Sequence, residues 1–119
     1  MDREWIEELF APFGPVVVKR MFGGHGVYAD GMFFAICAQD EIFLKTDEAT
    51  RALFATAGSR PFVYQGKSRL VTMSYWLLPD EAFEDEDALR RWARLALDAA
   101  RRAGAPKAGR VIKRGVRAK

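Results

Sequence analysis

A chain of 119 residues, half of them hydrophobic and 29% charged, has the length and make-up of one globular domain rather than of a wholly disordered chain. The apolar runs are short, as in Met32 to Ala38, so no membrane span is offered, and the start Met-Asp-Arg-Glu-Trp is not a secretory signal. Cys37 is the only cysteine, which rules out an internal disulfide and fits a cytoplasmic protein. The net charge of +3 is unevenly spread: residues 104–119 hold six cations and no acid, and without them residues 1–103 stand at −3.

The first element is an amphipathic helix. Trp5, Ile6, Leu9, Phe10 and Phe13 recur at helical spacing, with Glu4, Glu7 and Glu8 opposite, and Gly14-Pro15 ends it. A strand opens at Val16-Val17-Val18 and runs towards Phe22. The glycine-rich stretch Gly23-Gly24-His25-Gly26 then reads as a loop or bulge. Val27-Tyr28-Ala29 precedes Asp30-Gly31, whose residues tolerate the positive φ angles of a type I′ hairpin turn. Met32 to Ala38 is the return strand, Gln39-Asp40 the next turn, and Ile42 to Lys45 the next strand. These three strands predict an antiparallel meander.

Asp47 is placed to cap a helix from Glu48 to about Ala57, with Leu53 and Phe54 inward and Gly58 closing it. Phe62 to Gln65 and Leu70 to Leu77 form a second hairpin around Gly66-Lys67-Ser68. In its second strand Val71, Met73, Tyr75 and Leu77 alternate with Thr72, Ser74 and Trp76. The clearest element is the last helix, with Leu89, Trp92, Ala93, Ala96, Leu97 and Ala100 on one stripe. Asp85, Glu86 and Asp87 begin it and Arg101 and Arg102 end it, each sign favourable to the helix dipole. Gly104-Ala105-Pro106 stops it. The predicted architecture is α+β and two-layered: an antiparallel sheet of five to six strands, meander plus hairpin, covered by helices over residues 1–103, with a basic, disordered tail at 104–119.

Candidate chemistry is sparse. His25 is the only histidine and no nucleophile-elbow sequence is present, so a Ser-His-Asp arrangement has little to draw on. Cys37 lies between Ile36 and Ala38 in a strand, where thiols are ordinarily buried and inert. One histidine and one cysteine make no structural zinc site, and the adjacent acids Asp85, Glu86 and Asp87 are explained by a helix start. The stretch Gly24 to Ala29 loosely matches a dinucleotide fingerprint, but a strand follows where a helix is needed. What survives there is anion binding by Lys19, Arg20 and the backbone of Gly23, Gly24 and His25, against the plainer reading of a turn. The tail residues Lys107, Arg110, Lys113, Arg114, Arg117 and Lys119 suit either weak, salt-sensitive binding to nucleic acid or mere solvation. No aromatic is interleaved with them for base stacking. Trp76 marks a partner surface if it faces outward beside Tyr28 or Phe34.

Taken in order, Arg20-Met21-Phe22-Gly23-Gly24-His25-Gly26-Val27-Tyr28, Asp30-Gly31-Met32-Phe33-Phe34-Ala35, Phe43-Leu44-Lys45-Thr46-Asp47, Phe62-Val63-Tyr64 and Met73 to Pro79 resemble the TfoX (Sxy) N-terminal domain family over about residues 3–103. The resemblance implies a two-layer fold similar to secretion-chaperone-like domains. It also implies a role akin to that of bacterial competence regulators, which act with the cyclic-AMP receptor protein at promoters. Those regulators carry a second, helical domain, so this chain is expected to be a stand-alone member. The resemblance supplies no catalytic residue and no cofactor. The expected function is a non-enzymatic module that binds protein partners, the transcription machinery among them, with Arg20, Lys45 and Tyr75 as exposed contacts. A nucleic-acid binder acting through the tail is the alternative, and a small-molecule protein or enzyme with a polar pocket at Arg20 and His25 a third. The oligomeric state stays open, a homodimer included.

Overall fold

The computed structural model describes residues 1–21 and 23–104. The far end of the first strand at Phe22 and the tail cations therefore lie outside the described residues. Helix α1 (Arg3–Phe10) starts where the Asp2 carboxylate accepts the Trp5 N–H at 2.9 Å. Strands β1 (Val17–Met21), β2 (Gly24–Ala29), β3 (Met32–Ala38) and β4 (Glu41–Lys45) follow, then helix α2 (Arg51–Thr56), strands β5 (Pro61–Gln65) and β6 (Leu70–Leu77), one 3₁₀ turn (Asp80–Phe83) and helix α3 (Glu86–Gly104). All strand pairs are antiparallel, in the order β1-β2-β3-β4-β6-β5, so β1 and β5 are the edges of an open six-stranded sheet. This is the α+β architecture expected from the sequence.

The turns follow local chemistry. Asp30 and Gly31 have φ of 51° and 76°, as a type I′ hairpin requires. Gln39 and Asp40 adopt the same left-handed region at 55° and 60° without a glycine.

The helices cover one face of the sheet. Ile6 and Phe10 of α1, Phe54 of α2 and the α3 stripe of Leu89, Trp92, Ala93, Ala96, Leu97 and Ala100 pack against Val18, Val27, Phe34, Ala35, Cys37, Ile42 and Leu44. The Asp85 carboxylate accepts the N–H of Asp87 at 2.9 Å and of Ala88 at 3.3 Å, capping α3. Two ion pairs tie the C-terminal end of α3 to sheet turns: Arg101 to Asp30 at 2.6 Å and Arg102 to Asp47 at 2.6 Å.

Several expectations are corrected. The stretch Gly24-His25-Gly26 is strand, not loop. A Cβ on Gly24 would stand 1.9 Å from the Cys37 carbonyl oxygen, and one on Gly26 would stand 2.9 Å from the Phe33 ring. These glycines therefore admit cross-strand neighbours, and the chain reverses at Gly23, where φ is +69°. Trp5 is 41% exposed, beside Phe83, because it sits about 90° round the helix from the centre of the buried stripe. Leu53 is 49% exposed, since α2 has only six residues and turns Phe54 onto Trp92 instead. Asp47 does not cap α2. Its carboxylate accepts the Ala49 N–H in the preceding turn and pairs with Arg102, and α2 starts only after Thr50.

Candidate functional site

The opposite face of the sheet carries no helix among the described residues. A bulge decides what lies on it. Val27 pairs with Ala35 and Tyr28 with Phe33, so Phe34 is an extra residue on β3. Phe34 and Ala35 consequently both join the helix-side core, whereas Phe33 and Ile36 turn to the open face. There they meet Phe43, Phe62, Met73, Tyr75 and Leu77 in a second, smaller apolar cluster. Tyr28 stacks on Phe33 at 5.1 Å between ring centroids, Phe33 leans on Tyr75 at 5.7 Å, and Phe43 on Phe62 at 4.7 Å.

Three cations lie over these rings. Lys19 Nζ is 4.9 Å from the Tyr28 ring centre, Lys45 Nζ 5.2 Å from that of Tyr75, and the Arg60 guanidinium 5.9 Å from that of Phe43. Arg60 also pairs with Glu41 at 2.8 Å. Lys45 Nζ donates to Ser74 Oγ at 2.7 Å. Among the described residues neither Lys19 nor Lys45 makes an ion pair with a carboxylate. Burial lowers the Lys45 pKa, partly opposed by the nearby Asp47 charge. Burial, with a smaller contribution from Tyr28, pushes the Tyr75 hydroxyl up to about 12. Tyr75 is thus an 8% exposed phenol under a lysine rather than the exposed contact the sequence suggested.

The sequence candidates divide between the two faces. Lys19, Lys45 and Tyr75 meet on the open face. Arg20 pairs in register with His25, and His25 with Cys37, on the helix-side face near the start of α1. There they line an open cleft of about 560 Å³ with Gly23, Gly24, Asp2, Asp40 and the N-terminal Met1. Its charges are mixed, since Asp2 and Asp40 stand with Arg20 and the Met1 amine, which is 3.8 Å from Asp40. Burial pushes the Cys37 thiol up to about 12, against a small opposing pull from that amine. A thiol held protonated in this way is a poor nucleophile. No group of three or more His, Cys, Asp or Glu side chains is placed to hold a metal ion among the described residues. No helix among them is long and apolar enough to cross a membrane.

Trp76 does not mark the surface. It is half-buried against the helix-side core, to which the fully buried Phe34 belongs, while Tyr28 lies on the other face. Sequence reasoning missed Phe33, Ile36 and Arg60. The Asp30-Gly31 turn contains the signal for Phe33, because counting outward from a two-residue turn puts it opposite Tyr28.

Residues 8–100 match the sequence profile of the TfoX N-terminal domain. The chain belongs to the TfoX N-terminal domain family. The match spans β1 to β6, α2, the last turn of α1 and most of α3, so the TfoX N-terminal domain includes the open face and the Arg20–His25 wall of the cleft. No curated protein matches the chain.

Proposed function

We propose that this TfoX N-terminal domain is a non-enzymatic regulatory module. It acts in the cytoplasm by binding another protein, in transcriptional control of the kind that competence regulators exert. The observation that carries the reading is the helix-free sheet face, where the partly exposed Phe33, Phe62, Met73 and Leu77 lie over buried Ile36, Phe43 and Tyr75 and are bordered by cations. A sheet in a two-layer domain has no folding need for an aromatic cluster on its second face. Polar residues would serve there, and apolar residues gathered on a surface mark a binding site. The protonated, buried Cys37 and the mixed charges beside His25 supply no activated nucleophile, which supports the non-enzymatic part.

The test is affinity capture from native extract with the wild-type chain and with Tyr28→Ser/Phe33→Ser, which removes apolar area from the face. Unfolding curves establish that the variant is folded. A partner held by the wild type and lost by the folded variant supports the reading. Equal capture by both contradicts it.

The six tail cations favour a second reading, weak binding to nucleic acid without sequence preference. A full-length variant with those six residues changed to Gln separates the two. Under the tail reading, affinity for a labelled oligonucleotide falls steeply with salt and disappears in that variant.

A further inference from the structure

We propose that the occupant of the open sheet face is an acidic, amphipathic segment of a partner protein, its carboxylates bridging Lys19 and Lys45 while its apolar side chains cover Tyr28, Phe33 and Met73. The inference rests on the interaction reading above and adds the chemistry of the partner. Three observations select this occupant.

The first is charge. By strand register and packing the open face holds Lys19, Lys45 and Arg60 against one acid, Glu41, which Arg60 already engages. A second copy of this chain would bring the same cations against themselves. Like charges across an interface repel, whereas a carboxylate-bearing segment finds two lysines with no acidic partner among the described residues.

The second is the state of the rings. Single-stranded nucleic acid uses open aromatic faces on which bases stack. Here Lys19 lies over Tyr28 and Lys45 over Tyr75, and Phe43, 1% exposed, is in contact with both Arg60 and Phe62. Tyr28 and Phe33 are stacked on each other. What the face presents to solvent is therefore cation heads and apolar edges, the complement of acids spaced among apolar side chains. The partly desolvated Lys45 would regain electrostatic support from an incoming carboxylate.

The third is size. Six strands of five to eight residues make a face of roughly 25 by 20 Å, about 500 Å². A standard protein interface takes about 800 Å² from each partner. The face is small for the pairing of two whole domains and suits a segment of about eight to ten residues, ~30 Å when extended.

The experiment uses isotope-labelled full-length protein and a synthetic peptide of about ten residues, alternating Glu with Leu and Phe. Controls are the same peptide with Lys for Glu, an oligothymidylate, an oligouridylate, and sedimentation of the protein alone. The expected result is backbone resonance shifts at Lys19, Tyr28, Phe33, Lys45 and Tyr75 on adding the Glu peptide. Affinity should fall roughly tenfold or more in Lys19→Glu/Lys45→Glu and be kept in Lys19→Arg/Lys45→Arg. The charge-reversed variant should in turn acquire binding to the Lys peptide. Unshifted resonances of Ile6, Phe34 and Leu97 establish its fold, and Lys19→Glu alone serves if the half-buried Lys45 does not tolerate the change.

Unchanged affinity in the folded reversal variant overturns the proposal, as does no binding of the Glu peptide. Tighter binding of either oligonucleotide at these residues overturns it in favour of nucleic acid. Self-association that the reversal variant alters overturns it in favour of a second copy. A captured partner that is lost on Tyr28→Ser/Phe33→Ser but unaffected by Lys19→Glu/Lys45→Glu sinks this inference and leaves the interaction reading standing. Loss of both effects sinks both.

Discussion

Three buried or paired groups, Cys37, Tyr75 and Asp47, contribute to how stability depends on pH. Cys37 is 2% exposed, and its thiol titrates near 12 instead of 9.0. The raised value means that the folded state holds this proton more tightly than the unfolded chain. The stability it contributes is complete below 9.0 and drains away as pH climbs towards about 12. Tyr75 acts in the same direction between 10.0 and about 12. We expect urea unfolding to show a loss of about 1–2 kcal/mol from these groups between about pH 7 and pH 10, the larger part absent in Cys37→Ala. A thiol reagent should label native Cys37 far more slowly than the unfolded chain. Asp47 works at the acid end. Its hydrogen bond to Arg102 lowers its pKa below 3.8, with further help from the Arg102 charge and the N–H groups of Ala49 and Thr50. A lowered value stabilises above 3.8, and that contribution is lost as pH falls through the folded-state pKa. Asp47→Asn should therefore cost about 0.5–1 kcal/mol near pH 7, the range for a solvent-exposed pair, and nothing once the wild-type carboxyl is protonated. Unfolding curves at the two pH values measure the difference.

Elements, rather than residues, were the most legible part of the sequence. The α3 stripe was readable because one face of a 3.6-residue period carries every buried position. Asp30-Gly31 fixed a hairpin because few other pairs accept two positive φ angles. The glycines before it were misread because the same residue serves turns and close strand contacts, and sequence does not say which. Substitution separates the two uses. Gly24→Ala drives a methyl into the Cys37 backbone carbonyl, a group that cannot swing aside, and should cost upwards of about 2 kcal/mol in thermal or urea unfolding. Gly26→Ala meets side-chain atoms, the Phe33 ring and the Met21 sulfur, which can give way more readily than a backbone carbonyl, and should cost less than Gly24→Ala, about 1–2 kcal/mol. The bulge at Phe34 was not legible at all. A strict alternation from Met32 would put Ile36 with the helices, and only the pairing of β3 with β2 moves it to the open face. The conditional reading of Trp76 as a surface marker beside Tyr28 or Phe34 fails because Trp76 and Phe34 both point to the helix-side core, while Tyr28 and Phe33 lie on the open face.

At the scale of the whole molecule, the two faces of the sheet divide the work. Helices α1, α2 and α3 satisfy one face and hold the domain together, while the other keeps an aromatic cluster roofed by lysines and an arginine. Lys19 and Lys45 could be singled out from the sequence as contacts near family-like motifs, but their meeting on one face depends on register between β1, β2, β3 and β4, which no local signal carries. The central claim is that this face, and not the Arg20–His25 cleft or the tail, is where a partner sits. Lysine footprinting of the captured complex tests it most directly, with Lys67 in the turn between β5 and β6 as an internal reference. The account expects Lys19 and Lys45 to lose reactivity towards an acylating reagent in the complex while Lys67 keeps its own. Unchanged reactivity at Lys19 and Lys45, with protection confined to tail lysines such as Lys107 and Lys113, would contradict it.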